Sequence, residues 1–207
     1  MTTSLNLAAV FTGAITEHLA IISQLDAQRD CFERAAMRMT DCLLQGHRIL
    51  WCGNGGSAAA AQHLAAELVG RFRHDRRGLP SIALTTDTSV LTAIANDYGF
   101  GEVFARQVEA LCVPGDVVVG ISTSGKSKNV HAALEKAREL GAFTVAMTGE
   151  NGSRMAANAD VCLRVASRDA ARIQEGHILF GHILCEWLEF ATGINHAVAV
   201  TTLGGAE

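Results

Sequence analysis

A chain of 207 residues with a net charge of −4, 49% hydrophobic residues and only 5% aromatics can bury one aliphatic core of ordinary size. Its mild acidity, with a pI near 6.1, argues against a basic nucleic-acid or anionic-membrane surface, so a phosphate would have to be held by loops and helix ends. Six cysteines at 31, 42, 52, 112, 162 and 185 form no Cys-x-x-Cys pair, which fits buried residues in a reducing cytoplasm better than a disulfide framework or a thiolate zinc site.

The segment Met1-Thr2-Thr3-Ser4-Leu5 has no basic stretch ahead of an apolar one, so no secretory signal is expected. No uninterrupted apolar run approaches bilayer length. Residues 4–45 predict two helices broken near Asp26. In the second, Phe32, Ala35, Ala36, Met39 and Leu43 recur at helical spacing, and Gly46 is the expected C-cap. From His47 the texture changes to short apolar runs that end in glycine or a hydroxyl and lead into helical patterns. Strands are predicted at 48–52, 81–85, 116–121, 143–148 and 160–165. Helices are predicted at 57–70, 88–97, 102–111, 127–140, 151–158 and 170–192. Strands apolar on both faces, alternating with helices, predict an α/β fold of three layers with a five-stranded parallel sheet. The expected organisation is a single domain over 1–192, made of a helical extension (1–46) and an α/β core (47–192). A small apolar tail without periodicity follows at 193–207.

In such a sheet ligands bind at the carboxyl ends of the strands, and two polar loops fall there. The first is Gly53-Asn54-Gly55-Gly56-Ser57, which opens directly into a helix and can offer free backbone N–H groups. On that helix His63 and Glu67 stand four residues apart, hence on one face. The second loop, Gly120-Ile121-Ser122-Thr123-Ser124-Gly125-Lys126-Ser127, matches the nucleotide-binding pattern G-x-x-x-x-G-K-[ST]. No predicted strand ends in the acidic residue that a nucleotide-bound magnesium needs, since Asp87 comes two threonines late. Ser122, Thr123, Ser124 and Ser127 instead supply four hydroxyls around one helix start, which suits a phosphate monoester. In the last helix Gln174, His177 and His182 interrupt an apolar run and need partners. His177 aligns with Ile173, Phe180 and Leu184, which indicates a core or interface role.

These motifs together resemble the phosphoheptose (sedoheptulose 7-phosphate) isomerases of the sugar-isomerase (SIS) fold. The resemblance rests on Cys-Gly-Asn-Gly-Gly-Ser at 52–57, Gln-His at 62–63 with Glu67, and Ala-Asn-Asp-Tyr-Gly at 95–99. It extends to Gly-Ile-Ser-Thr-Ser-Gly at 120–125 and Arg-Ile-Gln-Glu-Gly-His at 172–177 with His182. It implies one zinc ion per subunit held by His63, Glu67, Gln174 and His182. Substrate contacts are implied for Asn54, Gly55, Gly56, Ser57, Asn96 and Asp97, together with Glu67 and Gln174, and phosphate contacts for Ser122, Thr123, Ser124 and Ser127. It also implies a cytoplasmic homotetramer with sites at subunit borders and a place in lipopolysaccharide heptose supply. The chain departs from the pattern at Ala60, where such isomerases often carry aspartate.

The implied reaction converts sedoheptulose 7-phosphate to D-glycero-D-manno-heptose 7-phosphate through an enediol, with Glu67 as base and His182 as its acid–base partner. About 12 Å of helix rise separates Gln174 from His182, so both reach one ion only if Gln174 precedes the helix or sits at a bend. The rival readings are a non-catalytic SIS binding protein, like the factor that associates with DnaA, and a nucleotide-binding P-loop protein. Glu67 and His182 favour the enzyme over the first, and the missing acidic strand end disfavours the second.

Overall fold

Strands of three to six residues, buried on both faces except at the edges, can be satisfied only between two helical layers. The computed structural model shows this arrangement and describes residues 6–201; expectations touching residues 1–5 and 202–207 lie outside the described residues. In chain order the elements are α1 (Leu7–Ile22), α2 (Arg29–Leu44), β1 (Ile49–Gly53), α3 (Gly56–Val69), β2 (Ser81–Ala83), α4 (Thr88–Asp97), α5 (Ala105–Leu111) and β3 (Val117–Ser122), followed by α6 (Lys128–Glu139), β4 (Phe143–Thr148), α7 (Ser153–Asn158), β5 (Val161–Arg164) and α8 (Ala170–Thr201). All strands are parallel, in the order β2-β1-β3-β4-β5.

Alternate strand residues feed two separate cores. Ile49, Trp51, Val117, Val119, Ile121, Val145 and Met147 pack with α2, α3 and α8. Leu50, Cys52, Val118 and Ala146 pack on the other side with Val108 of α5, Val130 and Leu134 of α6, and Met155 of α7. The helix that follows the glycine loop and the last helix therefore share one face of the sheet.

The boundaries differ from the sequence expectation where local chemistry intervenes. Asn6 caps α1, its side chain accepting from the Ala8 N–H at 3.0 Å. A 3₁₀ turn at Leu25–Gln28 makes the break expected near Asp26, and Gly46 adopts φ +82° after α2. Strand β2 stops at Ala83 because the Thr86 hydroxyl turns back onto the Ala83 carbonyl. The helix expected at 102–111 splits into a 3₁₀ turn, Phe100–Glu102, and α5. The last helix, expected to end at 192, continues through Gly193 to Thr201, since a single glycine costs only about 1 kcal/mol and no proline stops the helix. The span Leu7–Leu44 contains an eighteen-residue window with mean hydropathy 1.2 that passes for a membrane span by length and composition. Scattered polar residues such as Glu17 and His18 hide it from a search for unbroken apolar runs.

His177 bears out its expected core role. It is buried, with Nε2 3.1 Å from the Thr148 carbonyl, while Nδ1 has no partner. Burial lowers its pKa from 6.5 to about 4, against a smaller opposing effect of the Thr148 hydrogen bond. Between those values the unfolded chain binds the proton and the folded one does not, so stability rises with pH across this window. Urea unfolding will show stability falling as pH drops from 6.5 towards 4. His177→Gln will flatten that slope, and an unchanged slope would contradict the assignment.

Candidate active site

Three of the four residues at 53–56 are glycine, and the geometry of the loop itself explains two of them. A side chain on Gly53 would strike the Ser57 backbone at 2.9 Å, and Gly55 holds φ +56°. The loop turns tightly into α3, whose alanines keep it thin enough for α8 to lie close. One close approach is at Gly181, where an added Cβ would collide with the Leu64 side chain. The neighbours of that contact meet in turn: His63 Nε2 lies 2.8 Å from His182 Nε2, with the rings edge-on at 5.1 Å. Glu67 Oε1 stands 3.5 Å from His63 Nε2, and the carboxylate is only 23% exposed. The acid and the imidazole predicted to act together thus flank one histidine within a single chain.

A loop on the far side of α3 closes over this group. The Phe72 ring lies 5.6 Å from the His182 ring. Buried Glu189, two turns beyond His182, accepts from the backbone N–H groups of Phe72, Arg73 and His74 at 2.8 to 2.9 Å. Burial alone would raise the Glu189 carboxyl. The N–H donors of Arg73, Phe72 and His74, with the His74 ring, together outweigh it and hold the group below its ordinary value. Arg76 pairs with Glu189 at 3.3 Å and donates to the carbonyls of Glu67, Leu68 and Gly70, the open end of α3. The sequence reading missed Phe72, Arg76, Gly181 and Glu189. Only Gly181, a glycine inside an apolar helix, carried a readable signal.

Gln174 goes elsewhere. It lies inside α8, not before it, and its amide abuts Gly56, where any side chain would collide with it. Helices α3 and α8 run side by side, so Gln174 meets the start of α3 and His182 meets its middle. Within one chain Gln174 is placed beside the glycine loop, about 12 Å of helix rise from His182. His63, Glu67 and His182 are the donors drawn together. Two imidazoles and a carboxylate are a donor set that zinc accepts, with room for a further ligand. Among the described residues of the single chain, no group of three His, Cys, Asp or Glu side chains stands in a geometry that could hold a metal ion, so the trio fits zinc by donor type and not by its present spacing. The His63–His182 contact with Glu67 beside it is the fit that the fold provides.

At the second loop Ser122 Oγ lies 2.9 Å from Ser127 Oγ, and Ser124 Oγ accepts from the Lys126 N–H at 3.2 Å. Beside them is a cavity of about 270 Å³ lined by Thr123, Ser124, Lys126, Arg168 and Ile173, with Arg168 paired to Glu150 at 2.9 Å. The resemblance to a nucleotide loop fails on topology. Strand β3 runs through Gly120 to Ser122, in register with β1 and β4, so the motif's first glycine lies in the sheet and only a short turn remains. Asp87 caps α4 through the Val90 N–H at 2.9 Å. Asn96 and Asp97, expected on the sugar, sit at the exposed end of α4 with their side chains bonded to each other at 2.8 Å. Ala60 packs against the core.

Comparison with known proteins gives a consistent result. The SIS domain family matches residues 15–149. The chain is 60% identical over 147 residues to a phosphoheptose isomerase of Aquifex aeolicus, covering 71% of this chain and 77% of that one. It is 50% identical over 182 residues to the phosphoheptose isomerase of Aliarcobacter butzleri, covering 88% and 96%. The solved structure of phosphoheptose isomerase GmhA from Neisseria gonorrhoeae superposes with a TM-score of 0.83 at 44% identity, over 89% of this chain and 99% of that one.

Proposed function

The chain belongs to the SIS domain family and, within it, to the phosphoheptose isomerases; it is a sugar-phosphate isomerase acting on sedoheptulose 7-phosphate, and we propose that Glu67 and His182 carry the reaction. The observation behind this assignment is the His63–His182 contact with Glu67 alongside, formed where α3 and α8 lie against each other. Glu67 takes the proton from C1 of the ketose and returns one to C2. His182 moves the hydroxyl proton from O1 to O2, leaving the carbonyl at C1. The glycine loop and Gln174 hold the sugar hydroxyls, and Ser122, Thr123, Ser124 and Ser127 hold the phosphate. Gln174, set against Gly56 at the glycine loop, suits a hydroxyl contact within its own chain better than a place in the histidine group.

His63, Glu67 and His182 are the residues that would hold a zinc ion. When bound, zinc supplies a Lewis acid at the sugar carbonyl oxygen. The apolar face of α1, with Leu7 83% and Phe11 68% exposed, supports self-association into the tetramer that brings further groups to the site. The free, mostly buried cysteines support a cytoplasmic location, and the seven-carbon substrate supports a place in lipopolysaccharide heptose supply. An NMR time course on sedoheptulose 7-phosphate tests this reading. The expected result is appearance of the aldose, slowed by a chelator and restored by zinc; no conversion by the zinc-supplemented protein would overturn it.

A further inference from the structure

The sugar loop and the phosphate loop leave adjacent strands: Cys52 pairs with Gly120 and Gly53 with Ile121. Their spacing still depends on what joins them, because glycines 53, 55 and 56 have no side chains to anchor the first loop. Asn54 provides the anchor. Its Nδ2 donates to Asn129 Oδ1 at 2.9 Å, and Asn129 Nδ2 donates back to Asn54 Oδ1 at 2.9 Å. Asn129 lies in the first turn of α6, two residues after the phosphate-loop Ser127, and is buried. Its reach depends on α6 lying hard against the sheet. Gly120 permits this, since a Cβ there would stand 2.7 Å from Val130 Cγ1. The two loops are therefore tied by a reciprocal, part-buried pair of amide hydrogen bonds, and Asn129 Oδ1 also accepts from the Val130 N–H at 2.9 Å.

We propose that Asn129 is a positioning residue that fixes the span between the sugar loop and the phosphate loop, and thereby sets the enzyme's preference for a seven-carbon sugar phosphate. The inference rests on the roles given above to the two loops. A sugar phosphate anchored at the phosphate end meets the glycine loop only if its carbon chain matches that span. A fixed span rejects a shorter chain, and a loosened one discriminates less.

The test uses the full-length, metal-supplemented enzyme with Asn129→Ala, and with Asn129→Asp, which is nearly isosteric and keeps one of the two amide bonds. Measured are kcat and KM for sedoheptulose 7-phosphate and the inhibition constant of a six-carbon ketose phosphate. Asn129→Ala is expected to raise KM about tenfold, the equivalent of one to two hydrogen bonds, with kcat and the six-carbon constant moving less than about threefold. Asn129→Asp should fall between the two. If KM and the six-carbon constant rise by the same factor, or neither moves in folded Asn129→Asp, the positioning role is wrong. A wild-type enzyme that does not turn over sedoheptulose 7-phosphate would instead refute the parent reading.

Discussion

Glu67→Gln will lower kcat on sedoheptulose 7-phosphate by about 10²–10⁴-fold, the usual contribution of a positioned general base. The amide keeps the shape of the carboxylate and can still bond to His63, so the fold and KM should change little when the variant is assayed at saturating zinc, which offsets the loss of an anionic ligand. What it cannot do is accept a proton from carbon. The effect should therefore fall on kcat, the pattern expected when an interaction made only in the transition state is removed. Circular dichroism and a thermal melt of the variant should match wild type. Turnover within tenfold of wild type would remove Glu67 from the proton path.

Gly181→Val will also abolish most activity, by a different route. An exposed helical glycine replaced by a residue with a side chain normally gains helix stability. Here the sign is reversed, because any Cβ at position 181 collides with buried Leu64. Overpacking of this kind costs about 1–3 kcal/mol and would push α8 away from α3. The first casualty is the 2.8 Å contact between His63 and His182, which sit next to the colliding pair. Leu64→Ala supplies the control. In that background the cost of Gly181→Val should be much reduced, and the coupling measured by the double-mutant cycle should exceed the error of the single changes. Additive effects would show that helix separation does not govern the site.

The architecture was legible from the strand runs because burial on both faces leaves no polar alternation to confuse them, and all five strands fall within a few residues of expectation. Element ends were less legible. The stop of β2 depends on the Thr86 hydroxyl, and the extension of α8 on the absence of anything to stop it. In the site, His63 and Glu67 could be paired from spacing alone. His182 required the family resemblance, since a separation of 119 residues carries no periodic signal. Gln174 could be picked out by type as a candidate ligand, but its place beside Gly56 within the chain could not be read from spacing. Asn129 and Glu189 were invisible because their partners are a distant amide and backbone N–H groups, which leave no pattern in a sequence. The P-loop match misled for the opposite reason. The letters were present, but three of them belong to β3.

The most direct test of the central claim is a crystal structure of Glu67→Gln with sedoheptulose 7-phosphate bound. The account predicts the phosphate among the hydroxyls of Ser122, Thr123, Ser124 and Ser127. It also predicts C1 and C2 within about 3 Å hydrogen-bonding reach of residue 67 and His182. A sugar bound the other way round, or with C1 and C2 outside reach of both residues, would contradict it.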